Sequence, residues 1–127
     1  MTNKPVLKPT ESELEILNIL WAHGKTTVRE VHEELSVHKD SGYTTTLKLM
    51  QIMHEKGIVK RDDSSKTHIY QANIDKEKTQ RQLVGKMVDA LFGGSTTELV
   101  MQALGNKVPN QNELEEIQKL LNNLKKQ

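Results

Sequence analysis

The sequence predicts a mainly α-helical protein: three helices closed by a β-hairpin, followed by a second, purely helical part. Three observations carry this prediction. Capping signals ahead of apolar residues at helical spacing recur along the chain, only one stretch breaks that period, and aromatic residues are few. With one Trp, two Tyr and one Phe in 127 residues, the core must be aliphatic, which favours helices over a β-sandwich.

Thr10-Glu11-Ser12-Glu13 has the form of a capping box, in which the threonine hydroxyl accepts the Glu13 backbone N–H and the glutamate reaches back. Leu14, Leu17, Leu20 and Trp21 then fall on one side of a first helix that ends before Gly24. Thr27-Val28-Arg29-Glu30 is a second box, and Val28, Val31 and Leu35 share one face of the helix it starts. Ser41-Gly42 opens a third helix, which Gly57 closes and whose packing side carries Thr46, Met50 and Met53, flanked by Leu49. Past Gly57 the period changes. Ile58-Val59-Lys60-Arg61 and Thr67-His68-Ile69-Tyr70-Gln71 read as two short strands joined by a polar turn. Three helices followed by a hairpin is the winged helix-turn-helix pattern, expected here over residues 1–74.

Residues 75–127 read as a helical arm. Asp75 caps a fourth helix through Leu91, Gly93-Gly94 stops it, and Ser95-Thr96-Thr97-Glu98 is expected to form a further capping box for a short helix ending near Gly105. Pro109 and Asn110 precede the last helix, where Leu114, Ile117, Leu121 and Leu124 repeat at spacings of 3, 4 and 3. That seam suits either a partner chain or an intramolecular face. The fourth helix is apolar on two sides, with Leu83, Met87 and Ala90 on one and Val84, Val88 and Leu91 on the other. A unit this small rarely buries enough surface alone, and a second copy is the economical cover. The arm is therefore expected to be a dimerisation domain, using Val84, Met87, Val88, Leu91, Leu114, Ile117, Leu121 and Leu124.

Composition excludes several functions. Without cysteine there is no disulfide, thiolate metal site or thiol nucleophile, and the five histidines lack any His-x-x-x-His pairing, so no metal or other cofactor is expected. No Ser/His/Asp arrangement or Gly-rich phosphate loop follows a strand, so an enzyme is not expected either. Apolar runs are too short to span a membrane, and residues 1–5 lack the apolar core of a signal peptide, so a cytoplasmic protein is expected. Glu11, Glu13 and Glu15 read as first-helix residues favoured by the positive end of its dipole.

The net charge of +1 is silent about partners, but its distribution is not. Opposite the packing side of the third helix lie Thr44, Thr45, Lys48, Gln51, Ile52 and Glu55. Threonine hydroxyls and methyls suit base edges and thymine methyls, Lys48 suits a phosphate or guanine, and Gln51 can pair with adenine. Lys48, Lys56, Lys60 and Arg61 outnumber Glu55, and Lys66 adds charge on the wing. The expected role is DNA binding through Tyr43, Thr44, Thr45, Lys48, Gln51, Lys60, Arg61 and Lys66. Ile52 on this otherwise polar face favours the alternative, a winged-helix module that docks a protein.

Several ordered motifs resemble the penicillinase repressor family, the BlaI/MecI/CopY group of bacterial transcriptional repressors. They are Leu14-Glu15-Ile16-Leu17-Asn18-Ile19-Leu20-Trp21, Gly42-Tyr43-Thr44-Thr45-Thr46-Leu47, His54-Glu55-Lys56-Gly57-Ile58-Val59, Leu91-Phe92-Gly93-Gly94 and Glu113-Leu114-Glu115-Glu116-Ile117. The resemblance implies a homodimer that blocks transcription on a palindromic operator, with half-sites about one helical turn (roughly 34–36 Å) or a multiple apart. By position it makes the third helix the recognition helix and Lys60 to Tyr70 the wing. It also implies relief by proteolysis through a membrane metallopeptidase sensor system. Where the family's β-lactam-responsive members carry an Asn-Phe scissile pair, this chain has Gln102-Ala103. Where members commonly carry a basic residue on the recognition helix, it has Ile52, and it lacks the Cys-x-Cys of copper-responsive members.

Overall fold

The structure is a computed structural model that describes residues 8–127; the stretch 1–5 considered above lies outside them. Helix α1 (Glu11–His23) starts with the expected box: the Thr10 hydroxyl accepts the Glu13 N–H at 3.2 Å, and the Thr10 N–H donates to the Glu13 carboxylate at 2.8 Å. A strand too short to show a period, β1 (Thr26–Thr27), precedes α2 (Val28–Ser36). The Thr27/Glu30 box forms as expected, and both backbone and hydroxyl of Thr27 donate to Glu30, holding its carboxyl below the ordinary range. Helix α3 (Tyr43–Lys56) follows, then β2 (Val59–Asp62) and β3 (Ile69–Ala72).

The sheet has the order β1-β3-β2, with both pairings antiparallel. The expected hairpin is present, shifted by one residue or two, and β1 adds a strand that the sequence pattern does not announce. A two-residue strand carries no alternation from which to infer it. Residues paired across strands share a face. Val59 opposite Ala72, and Arg61 opposite Tyr70, therefore point inward, whereas Lys60 opposite Gln71 and Asp62 opposite Ile69 point outward.

The core joins Ile16, Leu17 and Leu20 from α1, Val28, Val31 and Leu35 from α2, Met50 and Met53 from α3, and Ile58, Val59 and Tyr70 from the sheet. Each fully buried aliphatic side chain here contributes roughly 1.5–3 kcal/mol. The inward faces of α2 and α3 are those expected. On α1 the face is rotated: Glu13 and Ile16 are buried, while Leu14 and Trp21 are only partly covered. The reason for Trp21 is polar. Its indole N–H donates to the Ile74 carbonyl at 3.0 Å, so the ring lies at the edge of the core beside the chain leaving β3.

Helix α4 (Lys76–Leu91) starts under the Asp75 carboxylate, which accepts the Lys78 N–H at 2.9 Å. It stops where Gly93 and Gly94, both at positive φ, let the Gly94 N–H reach the Val88 carbonyl at 2.8 Å. In α5 (Thr96–Asn106) only half of the expected box forms, the Ser95 hydroxyl accepting the Glu98 N–H. The last helix, α6 (Gln111–Lys125), has a full Asn110/Glu113 box, which the expectations from sequence did not include. The chain divides into two compact units, meeting at Thr79 and Gln80. The first turn of α4 thus groups with the winged unit, beyond the expected boundary at 74. Among the described residues no helix is long and apolar enough to cross a membrane.

Candidate nucleic-acid interface

Helix α3 is positioned by both its ends and its buried face. Gly57, at φ +82°, ends it, and the Ile58 N–H returns to the Met53 carbonyl at 3.1 Å. At the same end Lys56 donates to both carboxylate oxygens of Glu13 at 2.9 Å, tying α3 to the start of α1. The Glu13 side chain is 2% exposed. Burial works against its charge, but the Thr10 N–H and the Lys56 ammonium outweigh it and hold the carboxyl below the ordinary glutamate range. Glu13 is thus more than a helix-dipole residue.

The other end of α3 is held by aromatic packing. The Tyr43 ring meets the His32 ring edge to face at 5.7 Å and 85°, and the Arg29 guanidinium lies over it at 5.4 Å. His32 Nδ1 is 3.1 Å from the hydroxyl of buried Thr46, and its Nε2 is 3.3 Å from the Ser36 hydroxyl. Aromatic and cation–π contacts of this geometry contribute about 0.5–1 kcal/mol each and brace the start of α3 against α2.

Between these anchors the outer face of α3 presents Thr44, Thr45, Lys48 and Gln51, all exposed, with Ile52 half-buried. A groove of about 570 Å³ runs from α3 to the wing. Of the expected residues it brings together Tyr43, Gln51 and Lys66, and it adds Arg29, Thr67 and His68, which the expectations from sequence left out. Among the described residues no carboxylate lines it.

The remaining expected residues are dispersed. Lys60 stands on the outward face of the sheet, in a separate cleft of about 220 Å³ lined also by Lys25, Arg61, Asp62, Ile69 and Gln71. Arg61 is paired with buried Tyr70 across the strands and its guanidinium lies 3.5 Å from Asp63; the neighbouring Tyr70 side chain and then the Asp63 carboxylate raise its pKa above the ordinary arginine value. Its side chain is 22% exposed, and its Nε is buried with no hydrogen-bond partner among the described residues. Two of the four cations in the expected excess, Lys56 and Arg61, are thus paired with carboxylates, Glu13 and Asp63. No signal along the chain marks the Lys56–Glu13 pairing, which joins residues 43 positions apart.

In the second unit Val84, Met87 and Leu91 on α4, and Leu114, Leu121 and Leu124 on α6, are exposed, while Ile117 is half-covered. Val88 departs from this set, being 8% exposed in the single chain. Gln102 and Ala103 lie exposed on α5.

Three helices, a three-stranded sheet and a polar third helix beside a carboxylate-free groove define a winged helix-turn-helix protein. The chain belongs to the penicillinase repressor family, whose sequence pattern matches residues 9–123. That family consists of transcriptional repressors, not enzymes. A penicillinase repressor of Staphylococcus aureus is 27% identical over 126 residues, covering 99% of each chain. The methicillin resistance regulatory protein MecI of Staphylococcus aureus (strain N315) is 22% identical over 113 residues, covering 89% of this chain and 92% of its own. The solution structure of the DNA binding domain of the repressor BlaI is similar with a TM-score of 0.50 and 25% identity, covering 60% of this chain and 90% of that one.

Proposed function

We propose that this protein represses transcription by binding a palindromic operator as a homodimer, with α3 of each protomer in a major groove. The observation that carries this reading is the outer face of α3, where Thr44, Thr45, Lys48 and Gln51 stand beside a groove without carboxylates. Thr44, Thr45 and Gln51 read base edges, while Lys48 and the wing-tip Lys66 neutralise phosphates. Lys60, on the outward face of the wing, supplies a flanking charge. The exposed apolar side chains of α4 and α6 support self-association, since a face of this kind is costly to leave in water. Loss of the arm's grip, by cleavage near Gln102 and Ala103 under a membrane metallopeptidase sensor, lowers the effective concentration of the second reader and releases the operator. The site of action is the cytoplasm.

The test is a salt titration of duplex binding with the parent and Lys48→Ala. The parent should lose affinity steeply with salt, and the variant should show a log–log slope shallower by about 0.9 for each phosphate contact removed. Retention of full affinity and slope by Lys48→Ala removes that residue from the interface. A parent that holds no duplex even at low salt favours instead a docked protein partner, for which half-buried Ile52 on α3 is the specific feature.

A further inference from the structure

We infer that Arg29, on α2, is a phosphate-contacting residue of the DNA interface and that the Tyr43 ring is its platform rather than a base reader. This rests on the reading of α3 as the groove-entering helix. In helix-turn-helix proteins the helix before the recognition helix crosses the DNA backbone, so its side chains meet phosphates. Arg29 lies in the first turn of that helix, is exposed, and lines the same groove as Gln51 and Lys66.

Its orientation is built in. The guanidinium carbon sits 5.4 Å from the centre of the Tyr43 ring, within the range of a cation–π contact. A planar fork held against a ring has less freedom to lose when it grips a phosphate. The platform is itself fixed, because Tyr43 packs edge to face on His32 and His32 reaches the hydroxyl of Thr46, which is 1% exposed. Tyr43 therefore has its ring engaged by two α2 residues, which accounts for an aromatic side chain at the head of an otherwise hydroxyl-rich helix. Lys66 lines the groove from the wing and no acid among the described residues does, so a polyanion meets attraction from both α2 and the wing.

The experiment uses the full chain and two duplexes of equal length, one selected by the parent from a random-sequence pool and one scrambled. Affinities are measured across a salt series for the parent, Arg29→Gln, Arg29→Lys, Tyr43→Phe and Tyr43→Leu, with circular dichroism and thermal unfolding to establish that each is folded. Arg29→Gln should weaken both duplexes by the same factor and make the salt slope shallower by about 0.9 per bound protomer. Arg29→Lys should keep the slope and lose part of the affinity. Tyr43→Phe should bind like the parent, and Tyr43→Leu should fall with little further loss when Arg29→Gln is added. Parent-like affinity and slope in Arg29→Gln overturn the inference, as does a loss confined to the selected duplex, which would make Arg29 a base reader. If the parent itself retains neither duplex at low salt, the DNA reading fails first, and the two failures are thereby distinguished.

Discussion

Glu13 illustrates how one side chain serves three elements. It completes the cap of α1, lies in the core, and receives the ammonium of Lys56 from the end of α3. Because its carboxyl is held below the ordinary range, the folded chain binds fewer protons there than the unfolded one. The stabilisation is therefore present above the unfolded value, about 4.3, and is lost as pH falls through the folded value. Glu13→Ala should cost about 2 kcal/mol near neutral pH through the lost cap and charged hydrogen bonds. Thermal unfolding as a function of pH should show that gap narrowing on acidification; a constant gap would refute the linkage. Arg61 makes the opposite point about charge counting. Arg61→Ala should lower the melting temperature while leaving the salt slope of duplex binding unchanged, since its side chain is largely covered and its guanidinium faces Asp63 at 3.5 Å. A shallower slope would return Arg61 to the phosphate contacts.

At the level of elements, α3 depends on how it ends. Gly57 has φ +82° and open space where a Cβ would stand, so a substitution there meets backbone strain without a clash. Gly57→Ala should cost about 1–2 kcal/mol, and calorimetry should show the melting transition of the winged unit shifted down by several degrees. An unchanged transition would mean that the helix end relaxes freely. The helices were legible because their caps are local: Thr10, Thr27 and Asp75 each mark a start in the chain itself. Strand β1 was not legible, since Thr26 and Thr27 become a strand only by pairing with Tyr70 and Ile69 far along the chain. The same limit explains the rotated face of α1, where the Trp21 N–H answers a carbonyl at Ile74. Of the interface, the hydroxyl-bearing outer face of α3 followed from helical period alone. The groove partners Arg29, Thr67 and His68 come from other elements, and no spacing connects them to it.

At the scale of the whole molecule, the proposed repressor needs two readers held together. Exposed Leu114, Leu121 and Leu124, with half-covered Ile117, form a seam of the kind that a second α6 covers. Ile117→Asp combined with Leu121→Asp should give monomers in sedimentation velocity, with operator affinity falling toward that of a single half-site. An unchanged dimer would assign self-association to another surface, with the exposed α4 residues Met87 and Leu91 the next to test. The sequence by itself determined the helices, the hairpin, the inward faces of α2 and α3 and the polar outer face of α3, because caps and periodicity act within a few residues. Only the tertiary structure decided which charges remain available. Lys56 is bound to Glu13, brought near by folding, whereas Arg29 is set over Tyr43 beside the groove, and such pairings depend on approach in space rather than on order along the chain.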